Sequence, residues 1–188
     1  MSKTLNQQKT QEFLKLLLEF NKHHNLVSKQ KKDNLQEDVE DCLQLIGHIN
    51  HNPIRTLDLG SGNGFPGIII AIQNPKLKID LAEKQNKKAH FLRSTISKLN
   101  ISNATVIQKN IANNSDERYD LIVARAVATT EKILHMTSKI LLPKSKYLLM
   151  KGTVSKTKAE AEKIKLPHQI HPYTLLNKER CILEILTP

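Results

Sequence analysis

The chain has 188 residues with ordinary apolar (39%) and charged (25%) fractions, which is enough for one compact domain with a sizeable core. Its net charge is +11, all of it beyond residue 50: residues 1–50 carry seven Lys against seven acids, and residues 51–188 carry 22 Lys plus Arg against 11 acids. That excess suits a polyanionic partner such as RNA, although Lys outnumbers Arg 24 to 5, a bias that an A+T-rich genome produces without selection for binding. No apolar run approaches the roughly 20 residues of a membrane span. The N-terminus lacks signal-peptide form, because Lys15 and Glu19 interrupt its apolar residues. Cys42 and Cys181 have neither metal-ligand spacing nor a disulfide framework. A cytoplasmic protein without membrane or metal is expected.

In chain order, residues 4–20 read as an amphipathic helix with Phe13, Leu16, Leu17 and Phe20 on one face. A second helix is expected from Asn34 to about Ile49, capped by Asp33, with Leu35, Val39, Leu43 and Ile46 as its stripe. The HNP at 51–53 ends it, so residues 1–52 form a helical extension and 53–188 the main domain. Strand and helix then alternate: strand Arg55–Leu59, helix Pro66–Gln73, strand Leu77–Ala82, helix Lys84–Leu99, and strands Ala104–Gln108 and Tyr119–Val123. A helix over Thr130–Ile140, a strand Lys146–Met150 and a charged helix near Ser155–Lys165 follow. Strands Tyr173–Leu176 and Cys181–Leu186, joined by NKER, form an antiparallel hairpin with a connection longer than two residues. The pattern is that of an α/β protein, a mostly parallel sheet wound on both faces with a C-terminal hairpin.

Four of the six glycines fall within LDLGSGNGFPG, between the first strand and its helix. Glycine there frees the backbone to take positive φ and to approach a ligand closely, at the sheet end where open α/β folds bind ligands. Gly62-x-Gly64-x-x-Gly67 satisfies the dinucleotide pattern, but the first glycine after the strand is Gly60. The register is therefore Gly60-x-Gly62-x-Gly64, the spacing associated with S-adenosylmethionine (SAM) sites. Pro66 would also remove an N–H where a pyrophosphate would sit. Glu83, directly after the second strand, is placed to accept hydrogen bonds from both ribose hydroxyls; the alternative for it is a solvated helix cap. SAM is favoured over NAD.

Taken together, LDLGSGNGFPGI, EKQNKKAHFLR, IVARAVA and LLMKG, with FNKHHNLVS near the N-terminus, resemble the RsmG (GidB) methyltransferases over nearly the whole chain. That family forms 7-methylguanosine in bacterial small-subunit (16S) ribosomal RNA. The resemblance implies a class I SAM-dependent methyltransferase fold (Rossmann-like) with an N-terminal helical extension. It also implies cofactor contacts by Gly60 and Phe65, by Ile111 and Ala112 after the third strand, and by Arg125 after the fourth. Phe20 stands where the family usually has tryptophan, Asp38 and Cys42 replace the histidine and serine of its HxxDSL segment, and NIANN at 110–114 lacks its usual acid.

Guanine N7 has an in-plane lone pair, so it needs alignment with the methyl donor and no catalytic base. The chain agrees: the fourth strand ends in ARAV, without an Asn-Pro-Pro-aromatic motif for amino methylation or a cysteine for a pyrimidine adduct. Arg125 at that strand end is the expected catalytic residue, able to pair with a carboxylate, a guanine or a phosphate. Lys84, Lys87, Lys88 and Lys151 are the expected RNA contacts, with solvated lysines the alternative. Phe65 is a candidate for base stacking. His168 and His171 beside prolines do not make a metal site. The expected activity is SAM-dependent methylation of guanine N7 in 16S rRNA or the small subunit, by a monomer. The alternatives are a non-catalytic RNA- or ribosome-binding module on the same fold, and an NAD-dependent oxidoreductase.

Overall fold

The computed structural model describes residues 2–24, 26, 34–49, 55–108, 111 and 117–188. The Asp33 cap, Ala112 and most of the 110–114 segment lie outside them.

Helix α1 (Ser2–His24) and helix α2 (Leu35–Ile46) precede an alternating series. The series runs β1 (Arg55–Leu59), α3 (Gly67–Gln73), β2 (Lys78–Ala82), α4 (Asn86–Lys98), β3 (Ala104–Ile107), β4 (Tyr119–Arg125) and α5 (Thr130–Thr137). A 3-10 turn (Ser138–Ile140) leads into β5 (Leu141–Lys151), then α6 (Val154–Ala161), β6 (His168–Leu175) and β7 (Lys178–Leu186). The seven strands form one sheet in the order β3-β2-β1-β4-β5-β7-β6. Strands β1 to β5 are parallel, and β7 pairs antiparallel with both β5 and β6. The chain steps outward from β1 through β2 to β3 and then returns to the other side of β1 with β4. The carboxyl ends of β1 and β4 therefore flank the crevice where such sheets bind ligands.

Strand β1 is central and covered on both sides, which is why RTLDL is buried from Thr56 onward. Its alternation divides the core. Helices α1 to α4 pack on one face around Phe13, Leu17, Val39, Leu45, Ile68, Leu81, Phe91, Val123 and Ile182. Helices α5 and α6 cover the other, around Leu57, Leu59, Ile122, Ile133, Tyr147, Leu149 and Ile185. Helix α3, GIIIAIQ, is apolar all round because α1 and α2 cover the side that would otherwise meet water. Phe13 of α1 is fully buried against Phe65 of the glycine loop, ring centroids 5.2 Å apart. The N-terminal extension thus shares the sheet's own core and supports the loop from beneath.

Several boundaries differ from the sequence reading. Helix α4 starts at Asn86, with Gln85 as its cap, so Lys84 sits in the loop before it. Arg125 is the last residue of β4 and does not follow it. The hairpin connection is two residues, Leu176 and Asn177, and the expected NKER turn is mostly strand. Both connecting residues have positive φ, 46° and 59°, the backbone of the tight two-residue turn whose twist matches the strands. Leucine is a poor residue there, so the sequence hides the turn. Leu176 is 63% exposed, so Leu176→Asn removes left-handed strain without disturbing packing. Urea denaturation is expected to show a gain of about 1 kcal/mol; an unchanged or lower midpoint would contradict the turn geometry.

Candidate functional site

Beyond β1 the loop folds back on itself: Ser61 N–H donates to Ala82 O at 3.0 Å, and Gly64 N–H to Ser61 O at 2.8 Å. Gly60 has φ of 70°, and a Cβ there would lie 2.8 Å from Val127, in the segment that follows β4. At Gly67 a Cβ would lie 2.4 Å from Asp58 Oδ2 and 2.3 Å from Leu81, so the fourth glycine exists for close packing on β1 and β2.

Two buried carboxylates hold this loop. Asp58 Oδ2 accepts the Gly67 N–H at 3.1 Å. Glu83 accepts the Gly62 N–H on Oε2 at 3.0 Å and the Gln85 N–H on Oε1 at 2.7 Å. Glu83 is therefore fixed in direction, and each of its oxygens keeps acceptor capacity for a hydroxyl. It lines a cavity of 550 Å³ with Leu59, Gly60, Ala82, Ile111 and Met136, and with Lys84 and Lys88 at its mouth. Apolar walls around an oriented acid, beside a loop in which every second residue lacks a Cβ, make a cavity with room for an adenosine. Lys87 is exposed on the adjoining turn of α4, outside the cavity wall.

Arg125 lies on the other side of the β4 terminus. Its Nη1 donates to Asp38 Oδ1 at 2.8 Å and lies 3.6 Å from Asp41 Oδ2, both carboxylates coming from α2. Its guanidinium carbon sits 5.2 Å from the Phe65 ring centroid. Phe65 is only 3% exposed, enclosed by Arg125 and Phe13. Its ring therefore has no free face for a base, which corrects the stacking expectation. Cys42 lies beneath this cluster, and burial pushes its thiol well up, leaving it neutral and unreactive.

A second cavity, of 460 Å³, is lined by Asp38, Asp41, Arg125, Lys151, Glu160 and Arg180 among others. It shares the wall Ala126–Ala128 with the first, and Ala126 there takes φ of 53°. Lys151, expected as a free phosphate contact, is instead paired to Glu160, Nζ to Oε2 at 2.7 Å, with its side chain 11% exposed. The sequence reading missed Glu160, the Glu37–Arg180 pair at 2.6 Å and the Tyr173 hydroxyl's bond to Asp41 at 2.6 Å. Only partners from distant segments give these residues meaning, and no local pattern marks them. His171, set aside above as a metal ligand, gathers with His48 and Glu184, their ligand-type atoms within 4.8 Å of one another. Glu184 there is already paired to Lys146 at 2.8 Å.

Asp58 is fully buried, and burial pushes its carboxyl up to about 7. The folded pKa is raised, so between about pH 4 and 7 the unfolded group has lost a proton that the folded group keeps. Its contribution to stability therefore falls as pH rises through that window, by up to about 1.4 kcal/mol per pH unit, and is level above it. Denaturation of Asp58→Asn at pH 5 and pH 7.5 is expected to lack this decline; the same slope in parent and variant would assign it to other groups.

No described helix is long and apolar enough to cross a membrane. The fold is that of solved methyltransferases. A SAM-dependent methyltransferase from Aquifex aeolicus superposes with a TM-score of 0.65 at 14% identity, over 89% of this chain and 98% of that one. A methyltransferase from Pyrococcus furiosus does so with 0.65 at 16%, over 79% and 82%. The proteins called ribosomal RNA small subunit methyltransferase G are nearer in sequence. That of Thermotoga neapolitana is 30% identical over 94% of this chain and 80% of its own length. That of Psychrobacter sp. is 34% identical over 76% of this chain, which spans 64% of that protein. The family model described as GidB, rRNA small subunit methyltransferase G, matches residues 6–181. With the seven-stranded sheet and its glycine loop, this places the chain in the GidB (RsmG) family of SAM-dependent rRNA methyltransferases.

Proposed function

We propose that this protein transfers a methyl group from SAM to N7 of a guanine in small-subunit (16S) rRNA. The observation that carries the reading is the pair of adjoining cavities at the carboxyl ends of β1 and β4, one with an oriented acid and one with Arg125, separated only by Ala126–Ala128. SAM, when bound, supplies a methyl on a positively charged sulfur, which a neutral nitrogen lone pair can attack directly. Glu83 would hold the ribose diol, the backbone of Gly60, Gly62 and Gly64 would bring the loop close to it, and Ile111 would form an apolar wall. Ala112 belongs to the same proposed contact by family resemblance.

Asp38 and Asp41 hold Arg125 in one direction, so its remaining donors are preorganised toward the second cavity. There Arg125 is placed to fix a carboxylate or the guanine O6 without competing for N7. None of the residues around it needs to remove a proton, since guanine N7 carries none. Lys84, Lys87 and Lys88 form a basic approach that suits RNA phosphates; Lys151 contributes through its pair with Glu160 and not as a free cation. Action in the bacterial cytoplasm, as a monomer on rRNA or the assembled small subunit, completes the reading.

The test is methyl transfer from labelled SAM to small ribosomal subunits lacking the modification, with the nucleoside identified by mass spectrometry. Arg125→Lys keeps the charge that Asp38 and Asp41 require and removes the planar fork. Label is expected in 7-methylguanosine, with a rate on the order of 100-fold lower in the variant. Label in another nucleoside would overturn the acceptor. Absence of both label and SAM binding would favour a non-catalytic RNA-binding module.

A further inference from the structure

Four acids line the cavity that holds Arg125: Glu37, Asp38, Asp41 and Glu160. Three are spent on cations or enclosed. Glu37 takes Arg180 and Lys178, with its side chain 8% exposed. Asp41 takes the Tyr173 hydroxyl on Oδ1 and faces Arg125 with Oδ2, at 4% exposure. Asp38 gives Oδ1 to Arg125, and its Oδ2, though without a hydrogen-bond partner among the described residues, is shut off from solvent.

Glu160 differs. Its Oε2 accepts three donors: the Thr130 N–H at 3.0 Å, the Thr130 hydroxyl at 2.6 Å and Lys151 Nζ at 2.7 Å. Its Oε1 has no hydrogen-bond partner among the described residues, and the side chain is 34% exposed. One oxygen thus anchors the group while the other keeps its acceptor capacity, on a residue that lines the cavity. Burial would raise this carboxyl, but the hydrogen bonds from Lys151 and Thr130 outweigh it and hold it down to about 2, so it is charged at any working pH. A fixed, ionised acceptor in a cavity that abuts the glycine-loop cavity is available to a donor from the substrate.

We infer that Glu160 reads the acceptor base, with Oε1 accepting hydrogen bonds from both the N1–H and the N2–H₂ of guanine. This rests on the guanine-N7 reading above. N7 lies on the opposite side of the purine from N1 and N2. Glu160 belongs to the Arg125 cavity alone and not to the Glu83 cavity, so the base can present N7 toward the Ala126–Ala128 wall while its other edge meets Glu160. Adenine offers a lone pair at N1, which a carboxylate repels. Methylation at N7 makes the ring cationic and its N1–H more acidic, so the bond to Glu160 strengthens as the methyl moves. Interactions that strengthen in the transition state raise kcat and not merely binding.

The experiment compares parent and Glu160→Gln on small subunits lacking the modification, with SAM affinity measured by calorimetry. It also compares competitive inhibition by guanosine and inosine monophosphates, which differ only in the N2 amine. The parent is expected to be inhibited more strongly by the guanosine nucleotide. In Glu160→Gln, kcat is expected to fall roughly 10- to 100-fold, SAM affinity to stay within about twofold, and the preference for guanosine over inosine to vanish. Glu160→Asp, which keeps the charge near Lys151 and draws the free oxygen back, is expected to show the same loss should the amide variant fail to fold. Glu162→Gln, on the exposed side of the same helix end, is expected to behave as parent. Unchanged kcat or a retained guanosine preference, with the parent still forming 7-methylguanosine, overturns the role of Glu160 alone. Label in another nucleoside in the parent overturns the guanine reading beneath it.

Discussion

The site depends on two carboxylates at the ends of neighbouring parallel strands, each holding a backbone N–H of one glycine loop. Asp58 stands opposite Leu81 in the β1–β2 register, and Glu83 follows Ala82, the last paired residue of β2. Asp58 takes the amide of Gly67, and Glu83 takes that of Gly62. A loop with three positive-φ glycines has little conformational preference of its own, and these two bonds, with those made by the Ser61 and Gly64 amides, select one shape. The same geometry leaves Glu83 facing the cavity with both oxygens oriented, so the residue that shapes the loop is also the one available to a ribose. Burying two acids here is unfavourable in isolation; amide donors and the Arg125 charge offset part of it, and the raised Asp58 pKa records the remainder.

A second constraint ties the extension to the chemistry. Arg125 ends β4 in a largely enclosed place, and its carboxylate partners come from α2, not from the sheet domain. Tyr173 and Arg180 of the hairpin bond the same α2 face through Asp41 and Glu37. One polar layer therefore joins α2, the end of β4 and the C-terminal hairpin, three segments far apart in the chain. Losing one member of such a buried network leaves its partners charged and unpaired, at a cost of several kcal/mol. The extension is thus part of the wall around the candidate site, with Phe13 against Phe65 of the glycine loop and Asp38 and Asp41 beside Arg125.

The features legible in the sequence are those with local signals. Alternating apolar runs marked the strands, and Gly60, Gly62 and Gly64 marked the loop. The position of Glu83 after β2 marks it as the candidate acid by register alone, and the fold sets it against the glycine loop. Arg125 was legible by its place after an apolar run, and the family resemblance extended to most of the chain. Partners were not legible, because the Arg125–Asp38 bond spans 87 residues and the Arg180–Glu37 bond spans 143. Lys151 looked like a free cation until the fold brought Glu160 to it. The hairpin turn is hidden because Leu176 and Asn177 adopt positive φ without a glycine, while Lys178–Arg180 look like turn residues and are strand. Long-range pairing and tertiary override of turn propensity are the two limits visible here.

Equilibrium binding of SAM, measured calorimetrically in the parent and in Glu83→Gln, tests the site most directly. One equivalent is expected to bind the parent. The variant should bind at least about 10-fold more weakly, since it loses an oriented, charged acceptor for two hydroxyls. Equal affinity in the two, with both folded, would contradict the assignment of the Glu83 cavity to the adenosine and with it the account of the glycine loop.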